Sequence, residues 1–308
     1  MDAGRGLLRR EFRAMGTEIA LTCLTGAGGQ RRLDLAERWI QAYENRLSRF
    51  IPCSELSRMN SASGRPFRAS PLLFDFVSLC LKLADRAVGR FDPTLLREIE
   101  AAGYDRTFDL IGNPKVRRPL ARTSSYHDIC LQSSTRTITL PAGLGIDSGG
   151  LGKGWAADRV ARILGSPCLV DAGGDIAAIG RPPDAQGWYI AVQDPFRPEL
   201  DIGLVGVIDR GVATSSALKR RWRTDAGTAH HLIDPRTGSP AITDAAAVSV
   251  IAPDVTIADF HAKVALLQGA DAGLAYLNSE PGVEGLIVKA SGEVVQTEDF
   301  RSYRLETA

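Results

Sequence analysis

Residues 145–160 read GIDSGGLGKGWAADRV, and this is the most informative stretch of the chain: a strand end, a glycine-rich turn, Lys153 and then a helix. Glycines let backbone N–H groups approach an anion, a helix N-terminus adds partial positive charge, and a lysine adds a full one. The run is not a Walker A loop, because Lys153 is followed by Gly154 instead of Ser or Thr. It also lacks the GxGxxG spacing of a dinucleotide-binding βαβ unit. Alone, it serves a tight turn as well as it serves a phosphate.

Working outward, the elements do not alternate regularly. Toward the N-terminus, residues 12–24 (FRAMGTEIALTCL) settle into an apolar strand-like run, and residues 31–49 place Leu35, Ile40, Tyr43 and Leu47 at amphipathic-helix spacing. Residues 48–67 read as a surface loop around a short helical turn, 71–88 as a helix, and 94–102 as a short helix after the FDPT turn. Residues 111–125 look like an exposed connection, and alternation over 127–140 suggests a hairpin. Toward the C-terminus, 155–164 is a helix, 168–173 and 188–195 are strands, and 201–216 reads as two strands joined at Asp209-Arg210-Gly211. Residues 246–252 form a strand, 255–280 one or two helices, and 284–297 a hairpin turning at Ser291-Gly292. This irregular order predicts an α+β fold with mixed or antiparallel sheets and packed helices, not a doubly wound sheet. A division near residue 115 is conceivable, but no linker marks it.

Three further segments carry polar chemistry. DAGGDI (171–176) is a second glycine turn, which reads first as a positive-φ turn and second as a backbone surface for a ligand. VATSSALKRRW (212–222) and HHLIDPRTGSP (230–240) place hydroxyls at a strand end and a histidine pair at the start of a strand. Neighbours on a strand point to opposite faces, so at most one of His230 and His231 enters a given site. In IADFHAKVALLQG (257–269), Asp259 and Lys263 are four apart and share a helix face. The plain reading is an ion pair, although apolar neighbours make an exposed pair less natural there.

The bulk properties exclude several classes. Thirty-seven basic and 36 acidic residues leave a net charge of +1, so neither nucleic acid nor a membrane surface would be drawn by a global field. No run of 18 apolar residues occurs, so stable membrane insertion is not expected. Five well-separated cysteines without a CxxC pair argue against a disulfide framework or a thiolate metal site, and four of them are expected to be buried thiols. The N-terminal residues lack the apolar stretch of a secretory signal, and the chain reads as cytoplasmic.

Taken in order, the MGT of 15–17, the LSRFIPCSELSRMN of 47–60, the FDPT of 91–94 and the DSGGLGKG of 147–154 resemble the ApbE family of FAD:protein FMN transferases. The GGD of 173–175, ATSS of 213–216, HLIDPRTG of 231–238 and AD of 258–259 complete the series. The resemblance runs from about Phe12 to Phe300. It implies one ApbE-like domain over residues 1–308, ordered over roughly 10–300, with two closely packed subdomains. It implies FAD as substrate, with the FMN half passed as a phosphoester to a threonine in a flavinylation motif of an acceptor protein, and AMP released. It implies that Met15, Glu55, Arg90, Phe91, Asp92, Asp147, Lys153 and Ile233 neighbour FAD, and that His231 and Lys153 take part in the chemistry. It implies Mg²⁺ held by the Gly150 carbonyl and the Asp259 carboxylate. The pattern usually places threonine four residues after that aspartate, where this chain has Lys263. An ammonium cannot ligate, and its charge would weaken metal binding. Lys263 could fold onto Asp259 or swing to solvent. The departure leaves an FAD-binding protein or FAD pyrophosphatase with a degenerate metal site as the alternative.

Overall fold

The computed structural model describes residues 6–26, 28–117, 122–225 and 227–305. The chain divides into two compact units, neither broken near residue 115. Unit 1 comprises residues 1–42, 151–218 and 243–308, and unit 2 comprises 43–150 and 219–242. The breaks fall inside a helix, a glycine turn and two loops without a composition shift, which is why no linker signals them.

Unit 1 is built on eight strands: Leu7–Ala14, Thr17–Leu24, Cys168–Ala172, Ile176–Ile179, Arg210–Ser216, Ala245–Ala252, Glu284–Lys289 and Val294–Gln296. They lie side by side in that order, and each neighbouring pair is antiparallel. Period-two alternation assigns the faces. Ile19, Leu21, Cys23, Cys168 and Val170 point to one face, against Leu33, Ala36 and Ile40 of the Gly29–Leu47 helix and Val160 and Leu164 of the Gly152–Leu164 helix. Val212, Ile251, Leu286 and Val288 point to the other, against a two-stranded sheet of Trp188–Gln193 and Asp201–Val207. Ala245–Ala252 is buried along its whole length, consistent with cover on both sides. The first strand begins at Leu7, earlier than the sequence reading, and Met15-Gly16 forms the tight turn of an antiparallel pair.

Unit 2 holds the helices Glu55–Ser61, Pro71–Ala87 and Leu96–Ala101, a three-stranded sheet of Pro66–Arg68, Thr137–Thr139 and Cys130–Gln132, and two small hairpins. Its core gathers Leu95, Leu96, Ile99, Tyr104, Trp222 and Ile233, and Trp222 Nε1 donates to the Ala102 carbonyl at 2.9 Å.

Several expectations need correction. The stretch 48–67 contains a two-turn helix, capped by Ser54 accepting from the Ser57 N–H, and runs into the Pro66–Arg68 strand. The helix expected at 155 begins at Gly152. Leu33 and not Leu35 faces the core, since the buried set 33, 36, 40, 43, 47 keeps the 3.6-residue period and Leu35 is exposed. Three cysteines are buried instead of four: Cys53 and Cys130 are exposed. The connection at 111–125 includes residues 118–121, which lie outside the described residues.

Candidate active site

In unit 1, four of the sequence landmarks converge. Gly173 and Gly174 turn the chain with φ of 72° and 93°, and Asp171 Oδ1 accepts from the Gly174 N–H at 2.8 Å. A Cβ on Gly173 would lie 2.1 Å from Thr17 Oγ1, so both the backbone conformation and the space demand glycine there. This close approach joins the Met15-Gly16-Thr17 turn to the Gly173-Gly174-Asp175 turn. Met15 is held at φ 53° and packs against the helix-side core.

The same turn aims Asp175 at Lys153, and the two form an ion pair in which the aspartate side chain is 2% exposed. Gly154 follows in the first helical turn. A Cβ there would lie 3.0 Å from the Val255 carbonyl oxygen and 3.1 Å from Asp259 Cβ, so the glycine lets the Gly152–Leu164 and Val255–Gln268 helices approach. Asp259 is buried and ion-paired to Lys263, one turn further along its own helix. Burial, reinforced by the Asp175 carboxylate, pushes the Asp259 carboxyl up to about 6, against the pull of Lys263 and Lys153. Two carboxylates and two ammoniums thus interact in one mostly buried cluster.

This donor set does not fit a hard divalent ion. Among the described residues, no three His, Cys, Asp or Glu side chains gather into one cluster. Asp259 Oδ1 already accepts from an ammonium, and Mg²⁺ requires near-octahedral oxygen ligation.

In unit 2, Asp147 is the centre of a second assembly. Arg49 Nε meets Asp147 Oδ1 at 2.9 Å, and the guanidinium lies over the rings of Phe50 and Tyr104 at 4.1 and 4.6 Å. The Asp147 N–H donates to the Pro93 carbonyl at 2.9 Å, and Asn60 exchanges two 2.9 Å hydrogen bonds with the Ile146 backbone. Asp92 uses its carboxylate within the turn, accepting from the Thr94 N–H at 2.7 Å and from Arg122 at 2.9 Å. Phe91 is buried, and a Cβ on Gly150 would sit 3.1 Å from its ring. Glu55 spends both carboxylate oxygens on Ser70, one on its N–H and one on its hydroxyl, each at 2.6 Å; Ser70 caps the Pro71–Ala87 helix.

The histidine pair closes a strand, Gly227–His230, instead of opening one. His230 is buried, its Nε2 donating to the Ala241 carbonyl at 2.9 Å and its Nδ1 accepting from the Leu232 N–H at 3.3 Å. Burial lowers its pKa, so it is a neutral structural ring. His231 follows in a bend, half-buried. Ile233 packs in the unit 2 core. Asp234 holds the next turn through Arg236, whose guanidinium, chiefly by hydrogen bonding, depresses the Asp234 carboxyl; Arg90 adds to the effect.

Arg49, Asn60, Asp158 and Asp175 were not singled out as site residues. Arg49, Asn60 and Asp175 stand inside the family-like segments at 47–60 and 173–175, which was the available signal. Asp158 had none: it accepts from the Val255 and Thr256 N–H groups at 3.0 and 2.9 Å, partners almost a hundred residues away.

A sequence model of the ApbE family matches residues 15–287. A Treponema pallidum protein named FAD:protein FMN transferase is 30% identical over 81% of this chain and 74% of its own length. An Escherichia coli protein of the same name is 27% identical over 92% of this chain and 82% of its own length. Among solved structures, the ApbE protein of Thermotoga maritima superposes with a TM-score of 0.87 at 23% identity, covering 98% of this chain and all of that one. The apo form of Pseudomonas stutzeri flavinyl transferase ApbE superposes with a TM-score of 0.82 at 21% identity, covering the whole of both. With its landmarks folded into two assemblies of this kind and the family pattern spanning most of its length, the chain belongs to the ApbE family.

Proposed function

We propose that this chain is an FAD:protein FMN transferase that moves FMN from FAD onto a threonine hydroxyl of an acceptor protein. The observation that carries this reading is the 30% identity to a protein of that name over 274 residues, a span broad enough to take in both units. The hydroxyl oxygen attacks the FMN phosphorus, the bond from that phosphorus to the bridging oxygen breaks, and AMP leaves with the electron pair. His231 takes the hydroxyl proton, a role that needs its ring neutral before attack. Phosphoryl transfer is mostly positioning and charge neutralisation. Lys153 supplies positive charge at the start of a helix, and Asp175 fixes the direction of its ammonium. Within unit 1, Met15 and Lys153 are the residues offered to FAD.

The test is incubation with FAD and a threonine-bearing acceptor, with AMP and covalently bound flavin measured separately. Both should appear together. His231→Ala should lower AMP release by about a hundredfold or more while FAD binding persists. Release of free FMN with an unmodified acceptor would make the chain a pyrophosphatase, and unchanged FAD would make it a binding protein.

A further inference from the structure

We propose that the Lys263 ammonium is the resident cation of the buried acidic pair in unit 1, and that Asp259 in this chain is a partner for that lysine in place of a magnesium ligand. The inference deepens the transferase reading and rests on it for its bearing on catalysis.

The Asp259 and Lys263 side chains are 4% and 12% exposed, so the pair is not a solvated surface bridge. They lie one turn apart on the Val255–Gln268 helix, the spacing at which side chains meet. Asp259 Oδ1 accepts from the lysine. The other oxygen faces the neighbouring helix: a Cβ on Gly154 would lie 3.3 Å from Oδ2. Oδ1 is therefore taken by the lysine, and Oδ2 lies beside the Gly154 backbone.

Charge counting gives the same answer. Asp175 and Asp259 carry two negative charges, and Lys153 and Lys263 carry two positive ones in the same cluster. The cluster is neutral without a metal, and a dication added to it would leave two uncompensated positive charges largely out of water, an unfavourable state. The added ion would also sit within a few ångströms of an ammonium that cannot ligate it. Threonine at 263 would reverse both conditions by removing one positive charge and offering a hydroxyl oxygen. With no metal held at Asp259, transfer in this chain should survive chelation.

The decisive experiment titrates the full-length chain with Mn²⁺, following free Mn²⁺ by electron paramagnetic resonance, without FAD. The unmodified chain should show no saturable site below about 1 mM, and Lys263→Thr should bind on the order of a hundredfold more tightly. That gain should vanish in Lys263→Thr combined with Asp259→Asn. Lys263→Ala, which also removes the charge, serves if the threonine variant does not fold. A saturable submillimolar site in the unmodified chain that Asp259→Asn abolishes would overturn the proposal. So would a folded Lys263→Thr, judged by circular dichroism, with no gain in affinity. Flavin fluorescence and AMP release in EDTA are measured separately, so a chain that does not use FAD would refute the transferase reading while the Mn²⁺ titration still decides this one.

Discussion

Asp158 supports the acidic cluster from behind, and its removal gives a measurable loss. Its carboxylate accepts from the Val255 N–H at 3.0 Å and from the Thr256 N–H at 2.9 Å. It also accepts from the Thr256 hydroxyl at 2.5 Å. Val255 and Thr256 are both buried, so Asp158→Ala strands three donors at the start of the helix that carries Asp259. At about 1–3 kcal/mol per orphaned buried donor, the gross cost is roughly 3–9 kcal/mol. Three effects reduce it. The Thr256 hydroxyl can rotate to another acceptor, and Asp254 still caps the helix by accepting from the Ile257 N–H at 2.8 Å. Removing the carboxylate also relieves its desolvation, which raises the Asp158 pKa in the folded chain. The expected net loss is therefore at the low end, about 3 kcal/mol, and about half of that for Asp158→Asn, which retains one acceptor. Urea unfolding followed by tryptophan fluorescence suits the test, since Trp39, Trp155 and Trp188 belong to unit 1 and Trp155 shares the helix of Asp158. A loss for Asp158→Ala below about 1 kcal/mol would refute the reasoning, because it would place those donors in contact with water.

Two further outcomes follow from buried groups. Because burial lowers the folded-state pKa of His230, the unfolded chain binds a proton at higher pH than the folded one does. The stability from a neutral ring is complete above about 6.5 and declines as pH falls toward the depressed folded value, with a slope of up to about 1.4 kcal/mol per pH unit. Urea midpoints of the unmodified chain and of His230→Gln should diverge over that window, and parallel curves would count against a buried neutral ring. Of the five thiols, Cys53 and Cys130 are exposed, whereas burial pushes Cys168 up to about 12 and Cys80 further. A thiol reagent at neutral pH should modify two groups quickly and the remaining three only on unfolding; rapid modification of a third would contradict the packing.

The Thr17–Leu24 strand was legible in the sequence as an apolar run, and its Ile19, Leu21 and Cys23 form one buried face, whereas the Leu7 start and the Pro66–Arg68 strand carried no such signal. Gly152 and Gly154 misplaced the start of a helix, since glycine normally argues against helix and here permits the approach of a neighbouring one. The lysine-to-aspartate contact between 153 and 175 was not legible: it depends on the path of the Gly173-Gly174 turn, which spacing does not encode. Asp259 and Lys263 were legible as a pair because helix geometry is local, whereas their burial is a tertiary fact. The end of the strand between the two histidines was not legible, because the His230 ring finds its acceptor on a different segment at Ala241.

The pairing of Thr17–Leu24 with Cys168–Ala172 imposes a timetable on synthesis. The first hairpin leaves the ribosome early, but the strand that covers its inner edge is translated about 140 residues later, a wait of roughly 7–30 s at ordinary elongation rates. For that interval TEIALTCL presents an apolar, unpaired edge, the kind of segment that recruits other chains. Unit 2 is largely made during the same interval, since residues 43–150 fall between the two strands. The nascent chain therefore carries its most adhesive edge while more than a third of the protein is being added, and holdase chaperones would meet it at that stage.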